Sequence, residues 1–265
     1  MLDIQAPVKH RSVSQLSTYA NCSERYRLER VVRAPQRQAA WTIQGLAVHE
    51  GVEAYERSRR ALSVRQTQEA YRERWDTEIA KARHVEPDIA RWMRGGRKAA
   101  ERDINDRYQL GLDQVESYIL DMQANPRMTI MDMPDGTPAI EVPFRFTIGG
   151  VDVVGYIDQI VEDRETGTLM VRDLKTGNEP AWPIQLVVYR LAMKDALDLD
   201  IRWGDFYLSK KGGPTAPIDL MKYDHSQVSY WFANLDAGIR EEVFLPNPGS
   251  CFACPVRPHC PAYVS

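Results

Sequence analysis

The stretch Val154-Gly-Tyr-Ile-Asp-Gln-Ile160 is followed closely by a second one, Val171-Arg-Asp-Leu-Lys-Thr-Gly177. Both are rich in β-branched residues, which is typical of strands. Residues two apart on a strand point to the same face, so Asp173 and Lys175 share a face while Leu174 points into the core. The pattern predicts a strand pair that presents an acid and a base on one face.

The neighbouring sequence extends these strands into a sheet flanked by helices. Alternating residues over 140–148, the Gly149-Gly150 turn and the runs 151–161 and 168–174 predict a three-strand meander. Further strands are predicted over 201–208 and 217–223. Helical spacing is found over six ranges, which are 14–31, 38–60, 66–83, 97–123, 182–197 and 226–243. The sequence predicts a mixed α/β fold with a central, mostly meander sheet.

Periodicity and composition change along the chain and indicate three segments within one compact unit. Residues 1–125 read as a helical region that carries Cys22 and His49. Residues 126–245 contain the predicted sheet and its helices. Residues 246–265 are rich in Pro and Cys, and we expect them to pack back on the N-terminus.

Composition excludes several classes of protein. A chain of 265 residues with 43% hydrophobic content can bury a sizeable core, and four cysteines are too few for a disulfide scaffold. No run is long and apolar enough to span a membrane, and no signal core is found near the start, so we expect a cytoplasmic protein. A phosphate-binding Gly-x4-Gly-Lys-Ser/Thr loop is missing, so no ATP site is expected.

Two carboxylates predict a site for a divalent cation. If the strands place Asp158 beside Asp173, the oxygen-rich pair suits Mg²⁺ or Mn²⁺, and Lys175 supplies a complementary charge. Such a set can hydrolyse phosphodiesters. His49, on a predicted helix, can add a nitrogen ligand. Gln185 and Tyr189 stand four apart on a predicted helix and share one face.

The cysteines indicate a second metal site. Three of them form the cluster Cys-x2-Cys-x5-Cys at positions 251, 254 and 260, and Cys22 is the remaining one. Four thiolates suit either a tetrahedral Zn²⁺ or a [4Fe-4S] cluster, and spacing leaves both open. Four unliganded buried thiols are the third interpretation.

Taken in order, these motifs resemble the PD-(D/E)xK nuclease superfamily, in particular its RecB/AddB-like branch with the CRISPR-associated iron-sulfur exonucleases and their phage relatives. The motifs are an N-terminal Cys, a helical His, Gly-x-x-Asp, Asp-x-Lys, Gln-x-x-x-Tyr and a three-Cys tail. In this chain they are found at Cys22, His49, Gly155–Asp158, Asp173–Lys175, Gln185–Tyr189, and Cys251, Cys254 and Cys260.

The resemblance implies a role for each matched residue. His49, Asp158, Asp173 and the backbone carbonyl of Leu174 would hold the divalent metal, and Lys175 would be the catalytic lysine. The resemblance further implies that Gln185 and Tyr189 steady the active site or the DNA. It favours [4Fe-4S] over zinc at the cysteines. For Glu141, on the preceding strand, both a supporting role at the site and a plain surface position remain open.

These observations favour a metal-dependent DNA exonuclease acting on single-stranded ends. Basic residues are concentrated in the N-terminal part of the chain, and those nearest Cys22 are predicted to attract phosphates, namely Arg25, Arg27, Arg30 and Arg33. One alternative is an inactive DNA-binding adaptor for recombination or CRISPR adaptation, and another is a metal-sulfur redox protein. Cleavage polarity, protein partners and the pathway, whether phage recombination, repair or CRISPR adaptation, are not encoded in these motifs.

Overall fold

A computed structural model of the chain describes residues 10–263 and confirms the predicted mixed α/β fold, in which a central sheet is flanked by helices. The predicted first and last segments include residues 1–9 and 264–265, which lie outside the described residues. The chain divides into two compact units. Unit 1 comprises residues 1–38, 144–155 and 223–265, and unit 2 comprises residues 39–143 and 156–222. The division into segments 1–125, 126–245 and 246–265 remains a prediction.

Unit 2 contains a bundle of three long helices, α3 (Ala40–Arg57), α4 (Val64–Val85) and α5 (Ala100–Ala124). Ser63 and Gln66 form a reciprocal capping box that fixes the start of α4. The apolar stripes of the helices meet in one core with Tyr71, Trp75 and other buried side chains. Leu174 and Tyr207 of the sheet belong to the same core, so the bundle and the sheet are packed together.

Seven strands form one sheet, with the order β1-β3-β4-β5-β6, while β2 pairs with β3 and β7 pairs with β5. The strands are β1 (Met128–Ile130), β2 (Ile140–Ile148), β3 (Val151–Asp163), β4 (Thr168–Lys175), β5 (Trp203–Leu208), β6 (Gly213–Pro214) and β7 (Ile218–Asp219). β3 and β4 are antiparallel, whereas β4 and β5 are parallel. Helix α6 (Ile184–Leu197) makes the crossover that a parallel pair requires. The C-terminal ends of β4 and β5 therefore meet at one edge.

Unit 1 contains α1 (Val13–Asn21), α2 (Ser23–Tyr26), a π-helical turn (Arg27–Val31), α7 (His225–Arg240) and the tail. The single helix predicted over 14–31 is interrupted because the backbone of Cys22 is extended. Its sulfur accepts the N–H of Arg25 and so caps the new helix. Within residues 10–263, no helix has the length and apolar character needed to cross a membrane.

The predicted strand over 217–223 is wrong for most of its length. Only Ile218–Asp219 pairs with β5, and a 3₁₀ turn follows over Leu220–Lys222. The carboxylate of Asp219 accepts the N–H of Met221, a local bond that competes with strand pairing. The short strands β1 and β6 carry too few residues to show an alternating pattern, and the sequence did not indicate them.

Candidate active site

The acidic pair lies where the ladder between β3 and β4 ends. The last paired residues toward this end are Gln159 and Arg172, so the next position places Asp158 opposite Asp173. Directly opposite residues point to the same face of a sheet. Beyond this point the side chain of Asp158 replaces the ladder, because its Oδ2 accepts the N–H of Leu174 at 2.9 Å. The strand register thus brings the two carboxylates together.

Asp173 is fully buried, and its environment disfavours a negative charge. The hydroxyl of Tyr189 lies 3.3 Å from one oxygen of Asp158 and 3.3 Å from one oxygen of Asp173. A hydroxyl has a single proton, so it can donate to only one of them at a time. Burial, followed by repulsion from Asp158, raises the pKa of Asp173 to about 7, although Lys175 opposes the shift.

Lys175 connects the acids to helix α6. Its Nζ lies 2.5 Å from Oδ2 of Asp173 and donates to Oε1 of Gln185 at 3.0 Å. The amide of Gln185 donates in turn to the hydroxyl of Tyr189 at 2.6 Å. Gln185 and Tyr189 share a face because they are one helical turn apart. This chain of bonds holds the ammonium against the acidic pair. Burial raises the pKa of Tyr189 and keeps its phenol neutral.

Helix α3 contributes His49. Its Nε2 lies 3.1 Å from the carbonyl oxygen of Leu174, and its Nδ1 lies 3.9 Å from one oxygen each of Glu141 and Asp158. Burial lowers the pKa of the imidazole, but the nearby carboxylates raise it further, so the net shift is upward. The four site residues implied to hold the metal, His49, Asp158, Asp173 and Leu174, therefore lie together in unit 2.

Glu141 is a part of the site whose role the sequence left open. One ligand atom from each of Glu141, His49 and Asp158 lies within 4.8 Å of the other two. The backbone of Glu141 has a φ of 50°, a left-handed conformation that a side-chain-bearing residue rarely adopts. A signal was present, since counting back from the two-residue turn at Gly149-Gly150 places Glu141 opposite Asp158.

The donor atoms of this site fit a hard divalent cation. Carboxylate oxygens, one backbone carbonyl and one imidazole are ligands that suit Mn²⁺, and oxygen ligands suit Mg²⁺. Oδ2 of Asp173 is buried, and the group in contact with it is the ammonium of Lys175. A buried carboxylate with unused acceptor capacity is costly unless a positive charge is near it.

A buried polar chain supports the end of β4 from behind. The amide of Gln44 on α3 donates to Gln114 on α5 at 2.7 Å, and the amide of Gln114 donates to the carbonyl of Thr176 at 3.1 Å. Both glutamines are almost completely buried. Buried amides with satisfied partners hold one geometry, so these bonds fix the backbone just after Lys175. No sequence motif indicates these two residues, since isolated glutamines form no pattern.

The four cysteines come together in unit 1. They are free, and all four line one pocket, together with Arg25 and Leu28 among others. The sulfur of Cys22 accepts two backbone N–H groups, from Arg25 at 3.4 Å and from Asn247 at 3.3 Å. These two bonds hold the sulfur in place between the start of α2 and the tail. Burial raises the pKa of Cys254.

The spacing of the sulfurs bears on the choice of metal. Tetrahedral zinc with Zn–S bonds of about 2.3 Å requires sulfurs about 3.8 Å apart. Among the described residues, no three cysteine sulfurs lie within 4.8 Å of one another.

The four arginines near Cys22 have different environments, all within unit 1. Arg25 pairs with Glu29 at 2.6 Å, and Arg27 forms two bonds to Glu24. Arg30 and Arg33 are exposed, and neither has an ion pair with a residue in 10–263. The free positive charge in this segment is thus at Arg30 and Arg33.

Comparison with known proteins gives a consistent result. Residues 10–261 match the family described as the PD-(D/E)XK nuclease superfamily. The Gene 69 protein of Mycobacterium phage D29 is 36% identical over 273 residues, which cover 99% of this chain and all of that protein. The Gene 69 protein of Mycobacterium phage L5 is 34% identical, with the same coverage of both. The solved structure described as SSO0001 is similar over 62% of this chain and 81% of that chain, with 16% sequence identity and a TM-score of 0.35.

Proposed function

The chain belongs to the PD-(D/E)XK nuclease superfamily, and from this premise we propose that it is a divalent-metal-dependent DNA exonuclease that acts on single-stranded ends. The observation that supports the chemistry is the convergence of Asp158, Asp173 and Lys175 at the end of the β3–β4 ladder, with His49 of α3 beside Asp158. Two facing acids without a cation are costly, and an acidic pair that also has a lysine suits phosphodiester hydrolysis.

We assign the metal to His49, Glu141, Asp158, Asp173 and the carbonyl of Leu174. When bound there, Mg²⁺ or Mn²⁺ would polarise a phosphate oxygen and lower the pKa of a bound water. The protein would supply a fixed set of acceptors, since the N–H of Leu174 orients Asp158 at 2.9 Å. His49 would bind the cation through whichever ring nitrogen carries no proton, since an N–H cannot be a ligand.

The remaining site residues would orient the reacting groups. Once the metal binds Asp173, the ammonium of Lys175 would no longer be needed as the counter-charge of that carboxylate. It would then stabilise the negative charge that develops on the phosphate. Gln185 would hold that ammonium through its 3.0 Å bond, and Tyr189 would hold Gln185 and the acids. Because its raised pKa keeps Tyr189 neutral, its hydroxyl would accept the amide N–H of Gln185 and donate its own proton to one acid at a time.

The cysteine pocket would hold a [4Fe-4S] cluster that fastens the tail of the chain to α2. Cys22 would contribute one ligand from the N-terminal segment and Cys251, Cys254 and Cys260 the other three. The four free thiols that line one pocket support a thiolate-bound metal group, and the order of the motifs favours a cluster over zinc. Arg30 and Arg33, which are exposed and close to Cys22 in the sequence, would attract the DNA phosphates.

The test is cleavage of labelled DNA by anaerobically purified protein with Mn²⁺ or Mg²⁺. Linear single strands should be degraded to short products, closed circular single strands should remain intact, and EDTA should stop the reaction. Asp173→Ala and Lys175→Ala should lose at least 100-fold in rate, whereas Asp219→Ala, at a surface ion pair, should not. Equal cleavage by all variants would refute the site. Cleavage of circles would refute the exonuclease.

A catalytically inactive adaptor is the second candidate function. It would bind DNA without cleaving it under every metal tried. The retained acids and Lys175 argue against it, because an inactive protein has no physical need to bury Asp173 at such a cost. For location we propose the cytoplasm of a bacterial, archaeal or phage-infected cell, and for pathway DNA recombination or repair. The two phage relatives support a phage context.

A further inference from the structure

We propose that Tyr156 stacks on a nucleobase next to the scissile phosphate and thereby selects single-stranded DNA. This inference rests on the proposed function of the site, since it assigns a substrate contact beside the acids that we propose to be catalytic. Tyr156 is a residue of β3 whose side chain takes no part in the hydrogen bonds that connect the acids, Lys175 and helix α6.

Tyr156 is exposed in an unusual way for an aromatic residue in a sheet. Its exposed fraction is 60%, and among the described residues of unit 2 it is the only aromatic residue that is exposed. Within residues 10–263 its ring and hydroxyl form no hydrogen bond, ion pair or ring contact. An aromatic ring that water surrounds on the functional face of a protein is a typical ligand contact.

The strand register places this ring at the site. Tyr156 and Asp158 are two residues apart on β3, so they point to the same face and are separated by about 7 Å along the strand. The register between β3 and β4, continued past its last paired residues, puts Tyr156 level with Lys175. The ring therefore stands beside the point where the acids and the lysine meet, one strand step outward.

Helix α3 has an exposed apolar side chain close in sequence to His49. Leu46 on α3 is 42% exposed and lies one helical turn before His49, on the same side of that helix. The neighbouring residue Gly45 is close to Thr176, since a Cβ there would be 3.4 Å from its hydroxyl. The elements that carry the acids and His49 thus also carry exposed apolar side chains, and a ligand with both a phosphate and an apolar face suits this combination.

Nucleic acid has both of these features, but only when the base faces are accessible. In a duplex each base is already stacked on its neighbours, whereas an unpaired nucleotide can offer its face to a tyrosine ring. Base–aromatic stacking occurs with every base, so this contact would favour single strands without selecting a sequence. Tyr156 would then be a specificity residue of the reaction, and hydrolysis itself would not require it.

The test compares wild type, Tyr156→Ala and Tyr156→Phe in single-turnover cleavage of a labelled single strand with Mn²⁺. Tyr230→Ala is the matched control, since that tyrosine is 68% exposed but lies on helix α7. Tyr156→Ala should raise the half-saturating concentration roughly 5- to 100-fold while the maximal rate changes less than about threefold. Tyr156→Phe and the control should behave as wild type.

A second arm removes the base instead of the ring. Single strands that lack one base at successive positions should be bound more weakly by wild type at one position, and Tyr156→Ala should show no additional loss there. On duplex ends the variant should equal wild type. An unchanged half-saturating concentration for Tyr156→Ala, or an equal loss on duplex and single strands, would overturn the inference.

The outcome is distinguishable from failure of the proposed function. If wild type cleaves with Mn²⁺ and Tyr156→Ala has the same constants, the stacking contact is wrong and the nuclease stands. If wild type cleaves no DNA, the nuclease is wrong, and quenching of a 2-aminopurine-labelled single strand still tests the contact. Quenching by wild type and Tyr156→Phe but not by Tyr156→Ala supports it, and equal quenching by all three refutes it.

Discussion

Replacing Asp173 by Asn should stabilise the protein when no divalent cation is present and destabilise its metal complex. The raised pKa of about 7, against an ordinary value of 3.8, means that folding disfavours the charged form of this carboxyl. This difference between the folded-state and the ordinary pKa of Asp173 corresponds to about 4 kcal/mol of lost stability once the carboxyl is ionised. Lys175 loses its 2.5 Å partner in the variant, so we expect a net gain of about 1–3 kcal/mol.

The sign of the pH dependence follows from the direction of the shift. A carboxyl with a raised folded-state pKa is protonated in both states below about pH 3.8, so it has no effect there. Between about pH 4 and pH 7 the unfolded chain releases the proton first, and the stability of wild type falls. The advantage of Asp173→Asn should therefore be small at pH 5 and largest near pH 8.

The assay is urea unfolding in buffer without divalent cations at pH 5 and pH 8, repeated with Mn²⁺. Wild type should gain about 3 kcal/mol from Mn²⁺ at a hundredfold excess over its dissociation constant, and the variant should gain far less. Asp158→Asn should also stabilise the metal-free protein, and the double variant should gain less than the sum of the two. If Asp173→Asn is less stable than wild type at pH 8 without metal, the carboxylate of Asp173 does not destabilise the fold. If the stability difference between the two proteins does not change with pH, the pKa of Asp173 is not raised.

Three further predictions concern other parts of the fold. Gly111→Ala on α5 should lower stability by about 1–3 kcal/mol in urea unfolding, because its Cβ would lie 2.2 Å from the hydroxyl of Tyr71, and a rise in stability would contradict that packing. Arg172→Met should cost about 3–5 kcal/mol, since it leaves Asp205 buried without its two 2.7 Å bonds, and replacing both residues by apolar ones should recover most of the loss. Cys22→Ser should lose bound iron in elemental analysis of anaerobically purified protein, and wild type with stoichiometric zinc instead would contradict the cluster.

The sheet and the family were predictable from local pattern. Alternation along β2, β3 and β4 has a period of two, and Gly149-Gly150 marks the turn, so the meander and its acidic face follow from short-range rules. The order of the motifs led to the nuclease superfamily, and the family comparison confirms it. The assignment of individual residues to metal binding and catalysis remains a prediction that the geometry supports.

Other features depend on backbone conformations or contacts that alternation and helical periodicity do not encode. The position of Glu141 requires a left-handed backbone, which single-residue preferences disfavour. The bonds from Gln44 through Gln114 to Thr176 join residues that are far apart in the chain. The interruption at Cys22 overrides a helical stripe because the sulfur serves as a cap. For the two glutamines it is a tertiary contact, and not the local pattern, that decides the conformation.

We expect one divalent cation to be bound where β3, β4 and α3 meet. The most direct measurement is anomalous diffraction from crystals of the protein soaked in Mn²⁺. We predict a peak within bonding distance of Asp158, Asp173 and His49 that disappears in Asp158→Asn. If the folded protein shows no anomalous peak at these residues, or if the peak is unchanged in that variant, the cation is not bound by Asp158, Asp173 and His49.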